Sequence, residues 1–432
     1  MALVVSDAPI GGLLYAAYVS QTFIVTETVT TGQPPAALEV VVKNEGTVIE
    51  TLYYEAIEVT SASGTDTCTF KFDIREVVQQ LFVPRDMLPV YGAGSGAQAV
   101  YGSPQVAFIE CDLTPWKPNT AGLLERDAGS TENTLGYRVI NAVRVEEEEP
   151  AMQDFWAATG RRFLTSKTLR GYTDLFSNEF LYMYNRDDVE ISWIVEFRQN
   201  SGIFSGFLRS WGRVLPTDDE NKILRLGVGG LNILNMAWDE EHIIGFPGPF
   251  GGGTEMGLEN NDITYYEVYG AAVGSTDAIT EVRRYYVQWE PTICVSYRIH
   301  FLNRYGVWDF FPVTSQPGDN LKLTDDPYEK KLPDDFVFGS SPITRSHVRM
   351  RGQVRGDKGF EVEVGGFSDK QAVWLQELAM SPLAFIEKEP ADQPGAPTRF
   401  YPIVIQTDEF DITERKFTFT VIYSKQRFSQ RV

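Results

Sequence analysis

Apolar and polar residues alternate in short runs from one end of this chain to the other, and that period confines it to sheets. The longest case spans Val295 to Phe311. Val295, Tyr297, Ile299 and Phe301 alternate with Ser296, Arg298 and His300; Asn303-Arg304-Tyr305-Gly306 follow, then Val307-Trp308-Asp309-Phe310-Phe311. Period two marks a half-buried strand, and an Asn…Gly cluster between two such runs marks a reversal. A four-residue loop sets Phe301 opposite Trp308, His300 opposite Asp309, and Ile299 opposite Phe310. Leu38–Lys43 and Thr47–Leu52 read as a second hairpin around Asn44-Glu45-Gly46. The same alternation marks Cys68, Phe70 and Phe72; Ile191, Trp193, Val195 and Phe197; Tyr285, Val287 and Trp289; and Phe417, Phe419, Val421 and Tyr423. The expected fold is mainly β, a multidomain antiparallel β-sandwich or barrel protein with a few short helices.

Two segments break the pattern. Asp73 precedes Ile74–Leu81, whose apolar residues recur at helical spacing. Ser368-Asp369-Lys370-Gln371 is a capping box that opens Ala372–Met380, and Ser381-Pro382 stops it. A chain of 432 residues exceeds one core, since single cores rarely pass about 250–300 residues. Glu146–Glu149 with Pro150, and the Asp-, Lys- and Pro-rich stretch Asp319–Asp335, are the candidate junctions. The expected division is an N-terminal β-sandwich over 1–150, a central β domain with long loops over 151–325, and a C-terminal β module with one amphipathic helix over 326–432. Gly245–Gly253 is read as a surface loop.

Charge narrows the partners. The chain carries 59 acidic against 38 basic residues, a formal −21. Phosphate neutralisation needs the opposite sign, so no sequence-specific nucleic acid is expected. The first 42 residues hold no Lys or Arg, so no basic region precedes Gly11–Val19 as a secretory signal requires. No apolar run approaches the roughly 18 residues of a membrane span. A soluble protein, made in the cytoplasm and with no membrane partner, is expected. Cys68, Cys111 and Cys294 each lie in or beside apolar strand patterns and read as buried thiols.

Signs of catalysis are absent. Asp239-Glu240-Glu241 beside Trp238 and His242 packs acids into one segment. A glycosidase instead needs two carboxylates held on either side of a sugar. Gly92–Gly96 and Gly227–Gly230 lack the lysine and the strand–helix context of a phosphate cradle. No GxSxG and no HExxH occurs, and His242, His300 and His347 are scattered. No catalytic residue, cofactor or metal is expected.

One charge pattern points to contacts between chains. Arg345, His347, Arg349, Arg351, Gln353 and Arg355 recur at strict period two, a basic face about 30 Å long on a strand. A turn at Gly356-Asp357-Lys358-Gly359 pairs Arg355 with Glu361 and Gln353 with Glu363, which leaves Arg345, Arg349 and Arg351 without a local partner. In so acidic a protein these three, with Lys425, Arg427 and Arg431 near the end, are the candidate interface residues toward an acidic neighbouring subunit.

Phe301–Phe311 also closely resembles a segment of structural proteins from tailed bacteriophages that infect Bacteroidota-type bacteria. Other blocks resemble the same family in the same order. They are Glu39–Leu52 and Thr69–Ile74, Arg162–Thr165, Trp374–Leu378 with Ser381-Pro382, Tyr401–Ile405, and Phe417–Tyr423. The specific parts are Phe301–Phe311 and Trp374–Pro382. The long loop Gly245–Gly253 and the acidic balance depart from the family pattern. The resemblance implies a non-enzymatic virion component of the tail, baseplate or neck. Such a protein forms a homo-oligomeric ring, contacts adjacent phage tail or neck proteins, and is made in the host cytoplasm. The order of strands, one helix and two further strands after residue 331 resembles tail-tube-like modules at the level of fold. The competing expectation is a host-surface or carbohydrate-binding β-sandwich protein, with or without glycoside hydrolase activity, in which Trp116, Trp211 or Trp238 stack on sugar rings.

Overall fold

The computed structural model describes residues 3–9, 14–18, 20–30, 35, 37–62, 64–82, 98–101, 106–119, 121–127, 131–134, 136–142, 152–157, 159–174, 177, 179–185, 191–199, 207–209, 222–230, 263–272, 275, 277–288, 297–313, 320–329, 349–388 and 399–429. The chain forms two compact units. The first comprises 1–291 and 302–309; the second comprises 292–301 and 310–432. The fold is mainly β, with most strand pairs antiparallel.

The first unit opens with two sheets that close on one core. One runs β1 (Leu3–Asp7), β3 (Thr22–Thr30), β7 (Thr65–Asp73), β6 (Glu58–Ala62). The other runs β2 (Leu14–Ala16), β12 (Tyr137–Ile140), β9 (Val106–Pro118), β4 (Ala37–Asn44), β5 (Thr47–Glu55), with β10 (Leu124–Arg126) and β11 (Glu132–Asn133) also on β9. Phe23, Val25, Phe70 and Phe72 from the first sheet meet Leu38, Val40, Ile109 and Leu113 from the second, the inward alternation of a β-sandwich. The β4–β5 hairpin forms where expected, reversing at Glu45 (φ 50°) and Gly46 (φ 78°). Two successive residues at positive φ make the tight turn that suits strand twist. Cys68 and Cys111 are buried free thiols, as their strand positions imply, and loss of solvation pushes the Cys111 thiol up to about 12. Cys294 lies outside the described residues. Helix α1 (Arg75–Gln79) starts one residue later than its sequence suggests, with Ile74 at the cap. Asp73 still accepts the Arg75 N–H, at 2.9 Å, and also binds the Gln21 N–H, at 3.0 Å, so its carboxylate ties the helix to β3's entry.

A second sandwich follows within the same unit. Its larger sheet runs β13 (Arg170–Asp174), β19 (Arg283–Gln288), β18 (Ile263–Ala272), β15 (Ile191–Gln199), β16 (Phe207–Arg209). Its smaller sheet runs β14 (Phe180–Asn185), β17 (Lys222–Gly227), β8 (Gln98–Tyr101). Trp193, Val195, Tyr266 and Tyr285 of the larger face Leu181, Met183, Leu224 and Leu226 of the smaller. Helix α2 (Gln153–Trp156) precedes β13 in the chain.

The second unit is one seven-stranded sheet over one helix. The order is β21 (Trp308–Val313), β20 (Tyr297–Leu302), β24 (Ala384–Lys388), β25 (Arg399–Asp411), β26 (Lys416–Ser429), β23 (Arg349–Gly365), β22 (Asn320–Glu329). In a flat sheet β21 and β26 would lie about 19 Å apart, four strand spacings. The rings of Phe311 and Phe419 are instead 6.0 Å apart. The sheet is therefore rolled toward a half-barrel, and α3 (Asp369–Met380) fills its concave side with Ala372, Leu375 and Leu378. The capping box at Ser368 and Gln371 forms as its spacing requires, and the helix ends at Ser381 before Pro382.

Two local readings are overturned. Gly356–Gly359 is no turn: β23 runs unbroken from Arg349 to Gly365, between β22 and β26, with a bulge at Lys358/Gly359. The pairing of Arg355 with Glu361 is therefore not made, and Arg355 lies opposite Thr324 and Arg427. Gly359 serves another purpose, since a Cβ there would sit 2.1 Å from the Val421 carbonyl oxygen. The hairpin at Asn303 also closes one residue tighter than expected. The Asn303 N–H donates to the Val307 carbonyl and the Gly306 N–H to the Asn303 carbonyl, leaving a three-residue loop with Gly306 left-handed. A one-residue slip exchanges the faces of every following residue. His300 accordingly lies against Phe310, ring centroids 5.7 Å apart, and not opposite Asp309. The Asp319–Asp335 stretch, read as a junction, contains β22, with Pro327 at a bulge on what is the last strand in the sheet order.

Gly306 allows a direct test. Its φ is +74° and a Cβ would fall 1.6 Å from the Asn141 carbonyl oxygen, whereas Gly46 at φ +78° has nothing within 4 Å. Gly46→Ala should cost about 1 kcal/mol of stability through backbone conformation alone. Gly306→Ala should cost about 3 kcal/mol or more, because the tip must also move away from Asn141. Urea unfolding of both variants checks the difference, and equal costs would show that the tip is not held against residue 141.

Candidate functional site

Four of the six predicted interface residues fall on one three-strand ribbon. Arg349 and Arg351 lie on β23, in register with Glu329 and Pro327 of β22. Lys425 and Arg427 lie on β26, in register with Asp357 and Arg355 of β23. Two separate stretches of sequence are thus brought together on adjacent strands by backbone pairing. Beyond Val404 and Ile422 β25 pairs with β24, and residues 424–429 of β26 pair with β23. Arg345 and Arg431 lie outside the described residues.

Buried charge concentrates in the first unit, around the hairpin tip. Asn303 Oδ1 accepts from the Tyr305 and Val307 N–H groups, and Nδ2 donates to the Leu164 carbonyl at 2.8 Å. The Thr165 hydroxyl donates to Asp309 at 2.8 Å. Nearby, Lys167 pairs with Glu179 at 2.7 Å, and Arg283 binds Glu281 at 2.7 and 3.0 Å while reaching the Lys167 and Thr168 carbonyls. Glu281 also accepts the Phe163 N–H. Segment Arg162–Thr165 is therefore clasped by ions on one side and by the tip on the other. In the second unit His300 lies 2.8 Å from Glu387, which also faces Arg298 at 3.7 Å, all three buried. Most of these groups are buried, Lys167 and Glu281 partly so, and each is held by protein partners.

Three tyrosines make a different feature on the outer face of the five-stranded sheet. Tyr172 on β13 is in register with Tyr286 on β19, and Tyr286 with Tyr265 on β18. Ring centroids are 5.7 and 5.6 Å apart, tilted by 37° and 53°. Tyr172 is 69% exposed; Tyr286 and Tyr265 are half-buried. The next row holds Arg170, Arg284 and Glu267 in register. Arg284 donates twice to Glu267, at 2.6 and 2.9 Å, and its guanidinium sits 4.4 Å from the Tyr265 ring centroid. Hydrogen bonding to Tyr286 and then Glu267 pushes its pKa upward. Farther along the same face Ile194, Tyr269 and Ala271 are buried, while the tyrosine end is open at Tyr172. Each tyrosine occupies the outward phase of its own strand, which sequence alternation contains, but nothing in the sequence says that the three strands align.

Of the tryptophans named as sugar-stacking candidates, Trp211 and Trp238 lie outside the described residues. Trp116 is half-buried, donates its indole N–H to Glu39 at 3.1 Å and packs edge-on against Tyr53 at 6.0 Å. Glu39 also pairs with Arg126 at 2.8 Å. Among the described residues no group of three or more His, Cys, Asp or Glu could hold a metal ion, and no helix is long and apolar enough to cross a membrane.

No family model matches this chain, and no curated protein matches it. Among solved structures it is similar to Drosophila OTK extracellular domains 3–5, at 8% identity and TM-score 0.17 over 82% of this chain and 92% of that one. It is also similar to the complex of Dpr2 Ig1-Ig2 with DIP-Theta Ig1-Ig3, at 6% identity and TM-score 0.16 over 100% of this chain and 91% of that one. Likeness at that level carries no argument about fold or function.

Asp309 supplies a pH test of the buried cluster. Loss of solvation raises its carboxyl above the ordinary 3.8, against the pull of Lys167, Thr165, Asn303 and Arg283. The folded state then binds more protons than the unfolded chain just above that value, so this group's contribution to stability falls as pH rises through the window. Asp309→Asn removes that dependence. Plotted against pH, the stability of Asp309→Asn relative to the native chain should climb from pH 4 upward; a flat difference would show that Asp309 titrates normally.

Proposed function

We propose that this chain is a structural component of a bacteriophage virion, a ring-forming tail, baseplate or neck protein that works by assembly and not by catalysis. Its partners on this reading are copies of itself and adjacent tail or neck proteins, and its place is the virion, after synthesis in the host cytoplasm. One observation supports the reading above the others. The ends of Phe301–Phe311 pack against the start of Trp374–Pro382, the other specific block of the family resemblance: Trp374 lies 6.1 Å from Phe301 and 5.6 Å from Phe311 by ring centroids. Phe301 and Phe311 of one string and Trp374 of the other thus share the core of the second unit. The long strands β22, β23 and β26 suit a load-bearing part, because β23 pairs along its whole length with β22, with β26 or with both. Contacts between unlike surfaces of identical copies close into rings when the rotation closes.

The charged strand ends carry the assembly prediction. Native protein at rising concentration should form rings visible by negative stain, with a matching rise in sedimentation coefficient. Arg349→Glu combined with Arg351→Glu should shift assembly to higher concentration by tenfold or more, which is about 1.4 kcal/mol. Thermal unfolding of the monomer should stay unchanged. Unaltered assembly in that variant would remove these arginines from the interface, and a chain that stays monomeric and is missing from intact particles would remove the proposal.

A further inference from the structure

We propose that the open end of the five-stranded sheet binds an extended, uncharged saccharide chain across Tyr172, Tyr286 and Tyr265. This goes beyond the assembly reading and does not depend on it. A tyrosine ring offers an apolar face with a polar tip. A pyranose offers the complement, an apolar C–H face bounded by hydroxyls. Three rings on adjacent strands, at 5.7 and 5.6 Å spacing, form a line that a repeating ligand can follow ring by ring. A compact small molecule would use one or two of them.

The polar groups beside the row fit the same ligand. Arg284 is fixed by Glu267 and lies over Tyr265, so its orientation is set before any ligand arrives. Arg170 is exposed in the same row, with no ion pair among the described residues, and is available to hydroxyl oxygens. Nucleic acid also stacks on aromatic rows, but it requires a positive groove along its phosphates. Here Glu267 offsets Arg284 and the whole chain stands at −21. An uncharged chain meets no such barrier. The buried end of the face, at Ile194, Tyr269 and Ala271, bounds the site on that side.

The test is native affinity electrophoresis in gels containing dextran, laminarin, galactomannan, xyloglucan or arabinoxylan, followed by titration with an oligosaccharide of the polymer that retards the protein most. The native chain should be retarded by at least one polymer. Tyr172→Ala and Tyr286→Ala should each weaken binding by about two- to tenfold, the range of one aromatic contact. Tyr53→Ala, which removes a 60% exposed tyrosine from a different sheet, should leave binding unchanged. Tyr172 lies on the first strand of the sheet order and is well exposed, so its variant is decisive even where Tyr286→Ala fails to fold. Retardation by none of the five polymers overturns the proposal, as does retardation that both variants retain. Sedimentation of the same variants separates this outcome from assembly: loss of self-association without a change in retardation would assign the row to a second copy of the chain. Binding of oligo-dT in place of polysaccharide would assign it to nucleic acid.

Discussion

Asn303 is buried with both ends of its amide in use, two backbone N–H groups on the oxygen and the Leu164 carbonyl on the nitrogen. Removing it would leave three polar groups unsatisfied in the interior, each costing about 1–3 kcal/mol. That one side chain fixes the tight reversal before Val307, which sets the phase of β21. With that phase, Phe311 and Val313 enter the core beneath α3, and Asp309 meets Thr165. Gly306 completes the arrangement because any larger residue would collide with the chain at Asn141. The tip, 302–309, belongs to the first unit and most of its two legs to the second.

Around the tip the interior is unusually ionic. Lys167 with Glu179 and Arg283 with Glu281 are pairs with little exposure, and the second is braced by further hydrogen bonds to the backbone. Buried pairs of this kind add little net stability over well-packed apolar residues, but losing one partner is costly. Their effect is to specify one arrangement of segment 161–168 among the many that apolar packing alone would tolerate. In the second unit the buried polar side chains among the described residues are Arg298, His300, Glu387 and Thr418, and the rest of its described core is aromatic and aliphatic beneath a rolled sheet.

The two functional proposals use different parts of the molecule for related reasons. Assembly is assigned to a ribbon of long paired strands, where stiffness and charge matter. Saccharide binding is assigned to a sheet face with preset rings, where spacing matters. In both, the reactive content is low and the geometry is fixed beforehand by backbone pairing, which suits a protein that acts by touching other molecules.

How much of this was legible in the residues depends on distance along the chain. The alternating runs, the β4–β5 hairpin and the Ser368 capping box were readable because each is settled by neighbours a few residues away. Gly356–Gly359 was misread as a turn because glycines spaced for a loop look the same as glycines placed for close strand approach; only the strands on either side, β22 and β26, distinguish them. The Asn303 loop was misjudged by one residue because three- and four-residue reversals accept the same sequence, and burial of Asn303 selects the shorter. The tyrosine row could not be read at all, since Tyr172, Tyr265 and Tyr286 become neighbours only through a register set by three separate strands. By itself the sequence determined which segments are strands, because alternation and turn residues act locally. Tertiary structure alone decided which strands align and which side chains share a face, because those choices rest on contacts between residues far apart in the chain.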